Sequence, residues 1–300
     1  MHHTRIFCLS SLSFLNALLI FSIFFGIMKP QSTKAPHSGR TETVMTKNQT
    51  VLARCNLFGV FGAIPQLLRL DEKAYDLVKK HRVSIGFLIK GGPSATLRFD
   101  KGEATLTEGC RGATIKLYFP SPKKFNDMID GNGMPIPISG FHRLGFLLKE
   151  FMQLTDILTA YLRPKEGTLE DPDFLKKSTK LMLRVIAGAV TEIGNHDTIG
   201  KFSASNIVDG DIMLRIGDLE ADGTALAIGA KDHTLSLLTD LPKTAFSEMQ
   251  FADYETARAL FDGKINAVAA VGTGRVRIKG MISQIDNVNR ILDRVSIYLA

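Results

Sequence analysis

Residues 249–300 read MQFADYETARALFDGKINAVAAVGTGRVRIKGMISQIDNVNRILDRVSIYLA. Their pattern is strand, short helix, strand, then a long amphipathic helix. An earlier stretch has the same grammar. Residues 118–131 (YFPSPKKFNDMIDG) lie over residues 250–263 (QFADYETARALFDG) at a constant offset of 132. Phe119 meets Phe251, Met128 meets Leu260, and Asp130 with Gly131 meets Asp262 with Gly263. Further on, Asp156, Tyr161 and Leu162 match Asp293, Tyr298 and Leu299 at an offset of 137. The chain reads as one module written twice.

Working outward, the short helix of each copy carries its own punctuation. Ser121 and Asp253 stand at the N-cap, Pro122 suits a first helical turn, and Gly131 and Gly263 suit the left-handed residue that ends a helix. Before the first short helix the period is two. Val83, Ile85, Phe87 and Ile89 share one face, then Ala95, Leu97 and Phe99, then residues 103–107, then Ala113, Ile115, Leu117 and Phe119. This alternation predicts an antiparallel sheet with one covered face. After the helix, residues 134–138 are extended, but Pro135 and Pro137 keep them off a central strand. Residues 141–162 then carry a helical apolar stripe. Upstream, residues 50–80 are helical, with a break at Pro65 and a second helix capped by Asp71.

Residues 46–165 therefore form the first module. Residues 163–171 (RPKEGTLED) are a linker, and residues 172–300 form the second module. Residues 175–193 are helical. Strands follow at 212–216, 225–228, 234–238 and 245–251. Residues 264–280 read as a strand pair, and the last helix buries Met281, Ile285, Val288, Leu292, Val295 and Leu299.

Residues 1–45 stand apart. Residues 6–28 run without a charge for long enough to span a bilayer. They are either an uncleaved anchor with the body in the cytoplasm, giving membrane contact, or an extension upstream of a start at Met45. Residues 29–44 have disordered composition. Formal net charge is +7, of which residues 1–45 supply +3. The remainder is too little, and too poorly interleaved with aromatics, for a nucleic-acid binder. Three dispersed cysteines, Cys8, Cys55 and Cys110, suit reduced thiols in a cytoplasmic protein and offer no zinc-site spacing.

Taken together, residues 91–109 (GGPSATLRFDKGEATLTEG), the capped helix ending in Asp-Gly, and the terminal amphipathic helix resemble the sterol carrier protein 2 (SCP2) domain family. Residues 259–264 (ALFDGK) are similar to that family's LFxGK helix end, and residues 274–280 (GRVRIKG) to its GKLKIKG strand. The resemblance covers residues 83–162 and 203–300. The first copy departs from the pattern at Pro135 and Pro137, where the family has its final strand. The resemblance implies an α+β fold of two tandem SCP2-like modules, each a mainly antiparallel five-stranded sheet covered by helices. It also implies an apolar tunnel between sheet and helices that holds a lipid, fatty acyl chain or sterol-like ligand, with no catalytic motif, cofactor or metal.

The tunnel would be lined by the inner faces of the short and long helices. These are Phe125, Ile129, Leu144, Leu148 and Phe151 in the first copy, and Phe261, Ile282, Ile285 and Val288 in the second. Such stripes serve as core in most proteins. A non-enzymatic binder or carrier of an apolar ligand is therefore set against a structural or interaction protein with a filled core. An enzyme using His196 or His233 is a third reading. Asn195, His196 and Asp197 suit a helix cap or turn better than catalysis. Residues 272–280 lack the spacing of a nucleotide loop and fit a strand with Arg275, Arg277 and Lys279 outward.

Overall fold

The computed structural model describes residues 47–299; the apolar run of residues 6–28 lies outside them. Helix α1 (Gln49–Leu70) opens the described chain. Asn48 caps it, its side-chain oxygen accepting from the Thr50 and Val51 amides. Pro65 does not break it. The proline falls in the first turn of the last α-helical segment, Ile64–Leu70, after π and 3-10 segments at Cys55–Val60 and Phe61–Ala63. There its missing N–H matters little. This helix is long and apolar enough to cross a membrane, yet 67% of its apolar window is buried inside the protein. It is a core helix. Asp71 then caps α2 (Glu72–Val78), accepting from the Ala74 amide.

Strands β1 (Arg82–Ile89), β2 (Ser94–Asp100), β3 (Glu103–Glu108) and β4 (Ile115–Phe119) follow, then α3 (Pro122–Ile129), β5 (Ile136–Ser139) and helix α4 (residues 141–162). Helix α4 begins with a 3-10 turn and contains a π segment at Leu147–Phe151. The second half of the chain runs α5 (Pro172–His196), α6 (Thr198–Ala204), β6 (Gly210–Ile216), β7 (Thr224–Lys231), β8 (Thr234–Leu237), β9 (Ser247–Phe251), α7 (Tyr254–Phe261), α8 (Ala267–Gly272), β10 (Val276–Gly280) and α9 (Ile282–Leu299).

The two five-stranded sheets have one topology: β3-β2-β1-β4-β5 and, read in the same sense, β8-β7-β6-β9-β10. Both are mixed. β1 pairs with β4 in parallel, as β6 does with β9, and the other pairings are antiparallel. Alternation reports which face is covered, not the direction of the neighbour, so a period of two cannot reveal the parallel pair. The prolines do not remove the fifth strand either. β5 forms at the sheet edge, with a register shift between Lys116 and Leu117, where a missing N–H is tolerated. Residues 264–280 differ more from the expected strand pair. They form α8, capped by Asn266, and the single strand β10.

Matched backbone contacts extend the repeat. In α3 the Gly131 amide donates to the Met128 carbonyl and Asn132 to Asp127; in α7, Gly263 donates to Leu260 and Lys264 to Ala259. Both are Schellman stops. The glycines between edge strand and long helix, Gly140 and Gly280, have φ of 80° and 88°. A Cβ on Gly140 would meet the Thr114 carbonyl oxygen at 2.3 Å, and one on Gly280 that of Phe246 at 2.1 Å. Thr114 and Phe246 are related by the same offset of 132 as the flanking motifs.

Each sheet lays its apolar face on helices. The first core joins β1, β2 and β4 to α1, α3 and α4; the second joins β6, β7 and β9 to α5, α7 and α9. The modules interlock. Val51 and Cys55 of α1 lie in the second core, and Leu181 and Val185 of α5 lie in the first. At the crossing of α1 and α5, a Cβ on Gly188 would stand 3.0 Å from the Cα of Gly59. In α9 the buried stripe holds Ile285, Val288 and Val295 as the spacing predicts, but also Ile291 and Tyr298, with Leu292 and Leu299 only partly buried.

Candidate functional site

The space between sheet and helices in the first module is filled by phenylalanine rings. Phe125 lies edge-on to Phe119, with centroids 5.1 Å apart, and also packs on Phe61 and Phe87. Phe151 packs on Phe61 and Phe99. The π and 3-10 turns of α1 deliver Phe61 into this cluster, where a tunnel would run. In the second module Phe261 packs edge-on to Phe251, at 5.5 Å, and Ile285 and Val288 are buried in the same core. Leu144 is partly buried against the first core. Leu148 and Ile282 are 70% and 77% exposed and line no interior surface. They sit on the outer sides of α4 and α9, because the buried stripe of each helix is narrower than its apolar spacing predicts.

Cavities occur instead at the seam between the modules. One, of about 120 Å³, is lined by Leu52 and Val60 of α1, Ile129 and Asp130 at the end of α3, Met182 and Val185 of α5, and Tyr298 of α9. The second, of about 420 Å³, lies between the linker (Pro164 to Glu170), Met182 of α5 and Phe261 of α7. Leu162 and Arg163 line both. The cavities therefore share a wall at the end of α4, and a sequence-derived residue, Ile129 or Phe261, lines each.

Helix ends build this seam. Helix α4 stops as Arg163 leaves helical geometry (φ −128°, ψ 68°), its amide still bonded to the Thr159 carbonyl at 2.8 Å. Gly167 (φ 81°) turns the linker, and Asp171 caps α5 by accepting from the Asp173 amide. Below, Arg258 donates to Asp262 at 2.9 Å and to the Ser178 hydroxyl at 2.6 Å, and Ser178 donates to the Tyr161 carbonyl. That chain of bonds ties α7, α5 and α4 together. Lys264 also pairs with Asp262, at 3.3 Å. Arg258 is thus committed to structure.

Arg163 is different. No hydrogen bond or ion pair holds its guanidinium among the described residues. Burial lowers its pKa, with the charge of Asp130 opposing that shift. Asp130 is in turn raised by burial, with Arg163 acting against it. Lys47, which also lines the smaller cavity, is lowered by burial. The seam therefore offers a volume walled both by apolar side chains, Leu162, Met182 and Phe261 among them, and by charged groups of both signs, including Arg163, Asp130, Glu166 and Asp262. Among the described residues no group of three or more His, Cys, Asp or Glu side chains is placed to hold a metal.

Asn195 and Asp197 are held in structural bonds: Asn195 donates to the Leu235 carbonyl and accepts from its amide, at 2.7 and 2.9 Å. Asp197 caps α6, accepting from the Ile199 and Gly200 amides, each at 3.0 Å. It also receives Arg294 and the Tyr298 hydroxyl of α9. Cys55 and Cys110 are free thiols, and burial pushes Cys55 far above the ordinary cysteine value. Arg163 and Met182 carry no local sequence signal. Nothing in a linker's composition or in one helix's periodicity says which residues meet across two modules.

No protein-family model matches the chain, and no curated protein matches it. Solved structures do. The solution structure of sterol carrier protein domain 2 from Helicoverpa armigera matches at 16% identity and a TM-score of 0.31, covering 38% of this chain and 87% of that one. Apo sterol carrier protein 2 from Yarrowia lipolytica matches at 17% identity and 0.27, covering 35% and 91%. A Thermus thermophilus protein described as possibly a sterol carrier protein matches at 17% and 0.28, covering 38% and 86%. Each of these matches spans little more than a third of this chain and most of the sterol carrier or possible sterol carrier structure it is similar to.

Proposed function

We propose that the chain is a non-enzymatic binder of an amphipathic lipid, an acyl chain with an anionic head, held at the seam between its modules. The observation that carries this reading is Arg163, a guanidinium without a hydrogen bond or ion pair on the wall shared by two cavities that also expose Leu162 and Met182. At about 420 Å³ the larger cavity has the size of a small-molecule pocket, which runs from ~300 to ~1,000 Å³. Leu162, Met182 and Phe261 would take the hydrocarbon, at roughly 0.8 kcal/mol per buried methylene, and Arg163 the carboxylate or phosphate head. The body of the protein would then work in the cytoplasm, or at a membrane if residues 6–28 anchor it.

Displacement of a fluorescent fatty acid tests this. Arg163→Gln should weaken binding about tenfold, the size of one charge-assisted hydrogen bond. Leu162→Trp, which fills the shared wall, should abolish it. Binding unchanged in both variants would reject the seam as the site. A second reading is a structural or interaction protein without a ligand, and the phenylalanine-filled first core favours it. Absence of any lipid affinity in the folded wild-type chain would select that reading.

A further inference from the structure

Large apolar side chains stand in solvent along one segment of the first module. Met134 (87% exposed), Ile136 and Ile138 are alternate residues on and just before β5. Phe141 (64%), Leu148 (70%) and Met152 (53%) follow on α4. Together with Gly145 they fall at spacings of four, three and four, on one helical face. Singly exposed apolar residues are ordinary; six within nineteen consecutive residues are not.

The second module is an internal control. Tyr118 pairs with Ile136, and its counterpart Gln250 pairs with Arg277. Arg277 thus holds the edge-strand position that Ile136 holds in the first, while Lys279, paired with Glu248, stands where Ser139 pairs with Lys116. The strand geometry itself does not call for apolar residues there. Pro135 and Pro137 withhold two N–H groups from this edge, so it is a poor template for strand pairing with a second copy. Exposed cations stand in the same segment, Arg143 and Lys149 on α4, and half-buried Lys116 lies on β4 beside Ser139. Glu150, the nearest acid in the segment, is half-buried.

We propose that residues 134–152 dock on an anionic lipid bilayer, with Met134, Phe141, Leu148 and Met152 in the headgroup–acyl boundary and Arg143 and Lys149 on lipid phosphates. The chain outside the described residues is compatible with this. Eighteen residues separate the apolar run 6–28 from Lys47, enough to reach some ~60 Å when extended. A body tethered through that run reaches the same surface. The inference rests on different residues from the ligand site and stands without it.

The chain contains no tryptophan, so a single inserted indole reports on its own surroundings. The full-length variants Leu148→Trp and Phe202→Trp compare the patch with an equally exposed residue on α6, which is 67% exposed. They are mixed with vesicles of phosphatidylglycerol and brominated phosphatidylcholine. For Leu148→Trp the emission should shift to the blue and be quenched several-fold more than for Phe202→Trp. Adding Arg143→Glu and Lys149→Glu should weaken the vesicle affinity at least tenfold. Equal, unshifted emission from both reporters would overturn the proposal. So would a blue shift of Leu148→Trp that depends on protein concentration and needs no vesicles, which would assign the patch to a second copy of the chain.

Discussion

Asp197 gathers more bonds than any neighbouring residue at the seam of α5, α6 and α9. It caps α6, accepts Arg294 at 3.1 and 3.2 Å, and accepts the Tyr298 hydroxyl at 2.6 Å. Burial works to raise its carboxyl, but the bonds from Arg294, Tyr298 and the Gly200 amide outweigh it, and the net shift is downward. Tyr298 is correspondingly pushed up to about 12, by burial first and the Asp197 bond second. A depressed carboxylate contributes stability above its unfolded value of about 3.9 and loses it as pH falls through the folded value. Asp197→Asn should therefore cost about 3 kcal/mol at neutral pH by leaving Arg294 without its charge partner. Urea titrations should show the gap to wild type closing in acid below that value; a pH-independent gap would show that the charge is not what matters. The sequence places Asp197 at a helix exit, but its partners lie nearly a hundred residues away and no local pattern names them.

At the scale of elements, the repeat is legible where backbone chemistry is local. Ser121 and Asp253 accept from Lys124 and Thr256 as N-caps should, and Gly131 and Gly263 stop their helices. The alternation in residues 83–119 reveals β1, β2 and β4. The parallel pairing and helix α8 are not legible, because strand order depends on which chain crosses where, whereas Pro135 and Pro137 do point to the edge place of β5. The helical stripes name Phe125, Phe151, Ile285 and Val288 correctly as inward-facing, yet inward means core here. The expected cavity is occupied by Phe61, which comes from α1. The edge-strand glycines give an element-scale test. Gly280→Ala must accept positive φ, worth roughly 1–2 kcal/mol, and displace the Phe246 carbonyl. It should lower the melting temperature by at least several degrees, and Gly140→Ala similarly. A silent Gly280→Ala would contradict the close approach of β10 to β9.

The whole molecule is two topologically equal modules that do not part at the linker. Helix α1 contributes Val51 and Cys55 to the second core, while α5 contributes Leu181 and Val185 to the first. Unfolding should accordingly be one cooperative transition, with calorimetric and van't Hoff enthalpies in agreement. Two resolved transitions would show independent modules. The same interlocking creates the seam cavities, so binding at the seam would report on both modules at once. Native mass spectrometry of the full-length chain, wild type beside Leu162→Trp, tests that claim most directly. The account predicts one lipid-sized adduct per wild-type chain and none on the folded Leu162→Trp variant. A wild-type chain that carries no adduct and takes up no added fatty acid, or an adduct that survives Leu162→Trp undiminished, would contradict it.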